Sequence, residues 1–286
     1  MIQARPRALH AVDLAAIRSL VAVDPVLNCV LDARLRAVPD LDPQRLGGYL
    51  CGLADVADRS PDQALRAAAF HGGNLIPIGD DLAALELIAG QLARGGRGCS
   101  SIVGPASAVE VMWPVLSRSW GSARAFRRSQ PLLIADRAGP VAADPAVRRV
   151  RPAELAAFLP AAVAMFTEEL DISPVGPDSG SSYRARVAEL IAGGRAYASF
   201  DSGGRVMFKA EVGVLSPATA QVQGVWVRPE LRGRGIGTSA MAAVLRICLT
   251  MAPSVSLYVN DYNSVARRMY DRLGLRQINT LQTVLF

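Results

Sequence analysis

The sequence predicts an α/β protein in which a mixed, largely antiparallel twisted sheet is flanked by helices, preceded by a second α/β domain. Three observations predict it. At 286 residues the chain is long for one compact domain and comfortable for two. Short apolar runs cut by turn residues recur among segments whose apolar residues fall at helical spacing. The stretch Val225-Trp-Val-Arg-Pro-Glu-Leu-Arg-Gly-Arg-Gly-Ile-Gly-Thr238 reads as a strand, a tight glycine loop and the start of a helix.

In chain order, Ala11 to Val21 and Pro25 to Val38 carry helical spacing, and Leu41 to Ala57 is expected to continue it despite Gly47-Gly48. Ala67 to Phe70, the turn His71-Gly-Gly73 and Asn74 to Ile78 read as strand, turn and strand. Asp80 and Asp81 stand where a cap belongs, ahead of a helix over Leu82 to Leu92. A strand at Ser100 to Val103, a helix over Ala106 to Leu116 and a strand at Pro131 to Ala135 follow. The polar segment Asp136 to Pro145 is the expected linker, giving domains over 1–140 and 146–286.

Val147 to Arg151 then reads as a strand. Pro152 opens a helix to Phe158, Ala161 to Leu170 is a second and Ser181 to Ile191 a third. Arg195 to Phe200, Val206 to Val214 and Gln221 to Val227 are strands linked by the turns Asp201 to Gly204 and Ser216 to Thr219. Beyond the glycine loop, Ile236, Ala240, Val244, Leu245, Cys248 and Leu249 line one helical face. Ser254 to Val259 is the next strand. Val265, Ala266, Met269 and Leu273 mark the last helix, capped by Gly274, and Leu275 to Phe286 supplies one or two terminal strands. An uncovered strand at Thr283 to Phe286 is a candidate for pairing between subunits, so an oligomer is left open.

Composition narrows the function. Hydrophobic residues make up 51% and charged ones 20%, which describes a packed interior rather than disorder. No apolar run reaches the roughly 18 to 20 residues that span a bilayer. No apolar core of a signal peptide follows Met-Ile-Gln-Ala-Arg-Pro-Arg, so a cytoplasmic protein with no membrane partner is expected. The net charge of +6 is carried almost wholly by arginines, because Lys209 is the only lysine. Those arginines are scattered and not interleaved with aromatics, which speaks against nucleic acid as partner. Cys29, Cys51, Cys99 and Cys248 lie far apart, and His10 and His71 lack metal-ligand spacing; neither a disulfide nor a metal is expected.

The loop carries the chemistry. Gly233, Gly235 and Gly237 free the backbone for positive φ and clear side chains from it, so N–H groups can converge on one anion. A helix N-terminus at Ile236 and Thr238 adds unpaired N–H donors and about half a positive charge. Arg232 and Arg234 supply forked cationic donors suited to phosphate oxygens. A glycine turn that binds nothing is the plain alternative.

The spacing Arg232-x-x-Gly235-x-Gly237 resembles the pyrophosphate-binding motif of the GNAT superfamily of N-acetyltransferases. A second stretch, Asn263-x-x-Ala266-x-x-x-Tyr270-x-x-x-Gly274-Leu275, is similar to that family's downstream motif. The resemblance covers Val147 to Phe286, and the element order there is that of the acyl-CoA N-acyltransferase fold. It implies that acetyl-CoA is the acyl donor and an amine-bearing small molecule, protein or peptide the acceptor, joined by direct transfer in a ternary complex. It implies further that the backbone of Val225, Trp226 and Val227 pairs with the pantetheine arm and polarises the thioester carbonyl. Asn260 and Asn263 then approach the cofactor, and Tyr270 protonates the departing thiolate, with a phenol pKa of about 10.

Each role has an ordinary counterpart: core packing for the valines, a helix cap for Asn263, a half-buried helix tyrosine for Tyr270. For the base, Glu211 lies in an apolar strand, where a carboxylate is costly unless paired or poised, and Lys209 has the same parity. Glu168 and Glu169 are a second acidic pair, on a helix expected to wall the acceptor site. The first half repeats the family's order of elements without its glycine motif, so a degenerate second copy that does not bind CoA productively is expected. A mycothiol-synthase-like tandem acetyltransferase, a non-catalytic acyl-CoA-binding module and a first half that recruits a protein substrate all remain open.

Overall fold

The computed structural model describes residues 5–54, 64–176 and 179–286. Residues 1–4 of the Met-Ile-Gln-Ala-Arg-Pro-Arg stretch and residues 55–57 at the end of the Leu41 to Ala57 run lie outside the described residues.

The elements run β1 (Arg7–Ala8), α1 (Leu14–Ala22), α2 (Cys29–Ala37), α3 (Pro43–Leu46), β2 (Gly48–Ala54), β3 (Leu65–Gly72), β4 (Asn74–Ile78), α4 (Leu82–Arg94), β5 (Ser101–Pro105), α5 (Ala106–Trp120) and β6 (Ala125–Ala135). There follow β7 (Arg148–Arg149), α6 (Leu155–Leu170), α7 (Ser181–Ala192), β8 (Ala196–Phe200), β9 (Val206–Leu215), β10 (Ala220–Val227), α8 (Ile236–Cys248), β11 (Val255–Tyr258), α9 (Ser264–Arg272) and β12 (Arg276–Leu285). The chain divides into two compact units, residues 1–132 with 277–286, and residues 133–276.

In the first unit the strand order is β1-β2-β3-β4-β5-β12, antiparallel except where β4 runs parallel to β5 at Asn74↔Ser101 and Leu75↔Ile102. Helix α1 packs Ile17 and Val21 with Leu50 and Phe70, while α4 and α5 bury Leu85, Ile88, Val109 and Met112 with Ala67 and Ala69. Two expectations are corrected here. Residues 41–54 of the Leu41 to Ala57 run do not form one helix: Gly47 ends the four-residue α3 with φ +73, and β2 begins at Gly48. Leu50, Cys51 and Leu53 are all buried, so this strand has apolar residues on both faces and lacks the alternation that identifies a half-buried strand. The terminal strand is not an uncovered edge either, because Leu281 to Leu285 pair antiparallel with Pro105 to Ser101.

In the second unit the order is β11-β10-β9-β8-β7, with β10 and β11 parallel and the other pairs antiparallel. Helices α8 and α9 share one core with Phe208, Val212, Val222 and Val255; α6 and α7 share another with Val150, Ala198 and Trp226. The expected break between two helices near Pro160 does not occur, and α6 is continuous. An internal proline costs a helix about 3 kcal/mol. Buried Phe158, Ala161 and Ala162 on either side of it anchor α6 in its core. The expected linker is fastened to α8: Asp144 N–H donates to Ser239 O at 3.0 Å and Arg246 donates to Val141 O at 3.2 Å.

Candidate active site

The site is built around the end of β10. Strands β10 and β11 pair only at Ala220↔Val255 and Gln221↔Ser256 among the described residues, so β10 goes on without that neighbour. Its other edge is irregular: Gln223 faces Glu211 and Trp226 faces Lys209, leaving Gly224 and Val225 opposite the single residue Ala210. That is a β-bulge, which re-aims the strand and leaves a backbone position unpaired. Gly224 takes φ +60 there, and an ideal Cβ on it would stand 3.0 Å from Met165 Cε and 3.1 Å from Lys209 Nζ. Gly224 is the residue the sequence reading missed. The available signal was an isolated glycine inside a strand pattern.

Beyond the bulge the faces alternate. Val225 and Val227 turn their side chains to the core of α8 and α9, and Trp226 turns to that of α6 and α7. Trp226 Nε1 donates to Glu168 Oε1 at 3.0 Å. The same carboxylate accepts from Arg232 NH2 at 2.7 Å, and Arg232 Nε donates to Val227 O at 2.9 Å. Arg232 is thus tied back to the strand end, while Arg234 is exposed and makes no ion pair among the described residues.

Gly233 and Gly235 have φ +74 and +80, a left-handed backbone that favours glycine, and an ideal Cβ on either would meet nothing within 4 Å. Gly235 is the N-cap of α8 and has no side chain to cap it. The first helical bonds into its carbonyl come from Thr238 and Ser239 N–H. Among the described residues no bond is made by the N–H groups of Gly233 through Gly237. Gly237 is different: an ideal Cβ there would stand 3.0 Å from Val227 Cγ2 and 3.5 Å from Met269 Sδ. The strand end, the loop and α9 meet at this glycine.

Helix α9 is capped by Asn263, whose Oδ1 accepts from Ala266 N–H at 3.1 Å. Asn260 O accepts from Asn263 N–H at 2.9 Å, which shapes the turn before the helix. Tyr270 is 5% exposed and belongs to the α8 core. Burial, with a smaller push from Glu169, raises its phenol well above the ordinary tyrosine value, so it stays protonated. Val265, read as part of the apolar face, is 71% exposed instead.

On the other face of the sheet, Glu211 is 5% exposed and Lys209 fully buried, with Nζ 2.5 Å from Oε1. Tyr183 of α7 donates its hydroxyl to Ala162 O at 2.9 Å, and burial followed by the Glu211 charge pushes it up to about 12. All four cysteines are buried and free, and burial pushes Cys29 and Cys248 up to about 12. Among the described residues, no cluster of three His, Cys, Asp or Glu is placed to hold a metal, and no helix is long and apolar enough to cross a membrane.

Residues 176–275 match the acetyltransferase (GNAT) family model, and residues 54–158 match a domain of unknown function. No curated protein matches the chain. Among solved structures, an N-acetyltransferase from Sphaerobacter thermophilus is 15% identical at a TM-score of 0.58, covering 100% of this chain and 96% of its own. A GNAT-family acetyltransferase from Colwellia psychrerythraea is 11% identical at 0.55, with 99% of both chains covered. A tandem GNAT protein from the clavulanic acid biosynthesis pathway is 17% identical at 0.53, covering 99% of this chain and 98% of its own. At these identities the likeness is one of fold.

Proposed function

We propose, on the premise that residues 176–275 make this chain a GNAT-family acyltransferase, that it moves acetyl from acetyl-CoA to a primary amine by direct attack within a ternary complex. The observation that carries the reading is the loop after β10: a helix start with no side-chain cap, N–H groups from Gly233 to Gly237 without partners among the described residues, and open space over Gly233 and Gly235. Such a concavity binds a diphosphate through backbone donors and the helix dipole. Arg234 adds a cation.

The remaining tasks fall to residues of β9, of β10 and of the segment from Asn260 to Tyr270. The backbone of Val225 to Val227, which leaves the bulge at Gly224 and Val225 and runs beyond the two β10 residues paired with β11 among the described residues, pairs with the pantetheine arm, and one of its N–H groups holds the thioester oxygen as negative charge develops. Glu211 accepts a proton from the acceptor ammonium, directly or through water, leaving a neutral amine. The amine nitrogen then bonds to the carbonyl carbon, the carbon–sulfur bond breaks, and Tyr270 gives its proton to the departing sulfur. Tyr270 recovers a proton as the new amide nitrogen loses its own, so acetyl-CoA and an ammonium yield amide, free thiol and one proton. Asn260 and Asn263 shape the turn along which the arm lies.

The test is thiol release from acetyl-CoA by the full chain over a panel of polyamines, aminoglycosides and peptides, with the amide identified by mass. Release that depends on one amine class supports transfer. Binding of acetyl-CoA with no release across the panel favours the non-catalytic binding module.

A further inference from the structure

The sequence holds 31 lysines and arginines, and Lys209 alone is lysine. It is also fully buried, at a position where a cation is expensive. Its surroundings are specific: the ammonium bonds Glu211 Oε1 at 2.5 Å and lies 5.4 Å from the Phe158 ring centroid. It also sits beneath the bulge, 3.1 Å from where a Cβ on Gly224 would stand, while Glu211 Oε2 is 3.5 Å from the same point. One carboxylate oxygen is therefore tied by lysine, and the other lies toward the bulged backbone.

The ammonium is compact, with three donors, and its side-chain hydrogen-bond partner among the described residues is this one carboxylate. A bare carboxylate here would be driven to its neutral acid by desolvation, and an adjacent cation opposes that. A neutral Glu211 could take no proton from an acceptor.

We propose that Lys209 is a positioning residue that keeps Glu211 ionised and oriented at the β10 bulge, so that Glu211 can receive the proton of the acceptor amine. The proposal rests on the acetyltransferase reading given above. The charged and titratable groups acting on this pair are Glu169 of α6 and Arg186 and Tyr183 of α7. Burial pulls the Lys209 ammonium below the ordinary lysine value, and Glu211 resists that pull.

Because the chain has one lysine, protein labelled with lysine carrying carbon-13 at Cε gives a single lysine resonance, which reports the charge of Lys209. In the full chain its titration midpoint should lie at lower pH in Glu211→Gln than in the native protein, since the carboxylate no longer offsets burial. An unchanged midpoint would overturn the coupling. The functional arm is the pH profile of thiol release with the best amine of the panel. In Lys209→Met the acidic limb should move up by roughly one pH unit or more, so that the loss is about tenfold on that limb and disappears on the plateau above it. In Lys209→Arg the limb should stay near its native place, and the KM for acetyl-CoA should be unchanged in both variants.

A uniform loss at every pH would make Lys209 a packing residue only and reject the proposal. Should Lys209→Met fail to fold, Lys209→Arg and the lysine resonance decide the matter. Failure of the native chain to bind acetyl-CoA would remove the acetyltransferase reading instead, while the resonance would still show whether the pair is coupled.

Discussion

The loop after β10 and the loop after β4 occupy equivalent places in two similar stretches of chain. Both follow the second strand of an antiparallel hairpin, both open a 13-residue helix, and, among the described residues, both strands pair in parallel with the next strand only at their first two residues. The difference lies in what meets the helix start. At α4 the N-cap is Asp81, whose carboxylate accepts from Ala84 N–H at 3.0 Å and pairs with Arg66 at 2.6 Å. At α8 the N-cap is Gly235, which offers no side chain. One helix start is met by a carboxylate of its own chain, and the other has no side-chain acceptor at its N-cap. This supports the reading of the first half as a GNAT-like copy that does not hold CoA productively, with the acyl donor bound in the second.

That comparison can be broken by putting a carboxylate where glycine stands. Gly235→Glu should weaken acetyl-CoA binding at least a hundredfold by calorimetry, because bulk and negative charge enter the proposed diphosphate site. Gly235→Ala separates charge from strain. A left-handed backbone costs a non-glycine residue about 1 to 2 kcal/mol, so this variant should melt earlier yet keep most of its affinity. Tyr270→Phe should lower turnover roughly a hundredfold, the usual scale for losing a general acid, with acetyl-CoA affinity nearly unchanged. Equal turnover would return Tyr270 to the core as a packing residue.

The converse change sharpens the comparison from the other side. Asp81→Ala should cost about 1 kcal/mol of stability through the lost cap, seen as an earlier thermal transition, without creating a second acetyl-CoA site. The smallest effect is expected from Glu168→Gln. This keeps an acceptor for Trp226 Nε1 but removes the charge that holds Arg232, in a pair exposed by 47% and 45%. Exposed pairs are worth at most about 1 kcal/mol, so acetyl-CoA should bind up to a few-fold tighter as Arg232 is freed.

Much of the second half was legible because its signals are local. The turn Asp201 to Gly204, the cap at Asn263 and the glycines at 233 and 235 each specify their own backbone, and the elements stand where those residues put them. What escaped was set at longer range. Strand β2 is apolar on both faces, so its period gave no help, and a proline inside α6 is outweighed by burial on either side of it. The pairing of Leu281 to Leu285 with β5 joins residues far apart in sequence, which no local pattern announces. The bulge at Gly224 and the bridging role of Glu168 depend on neighbours brought by β9 and α6.

The most direct test of the central claim is the stoichiometry of acetyl-CoA binding to the full chain by calorimetry, since it counts competent helix starts. One site per chain, lost in Gly235→Glu and retained in Asp81→Ala, is the predicted result. Two sites, or one that survives Gly235→Glu, would contradict the assignment of the acyl donor to the loop after β10.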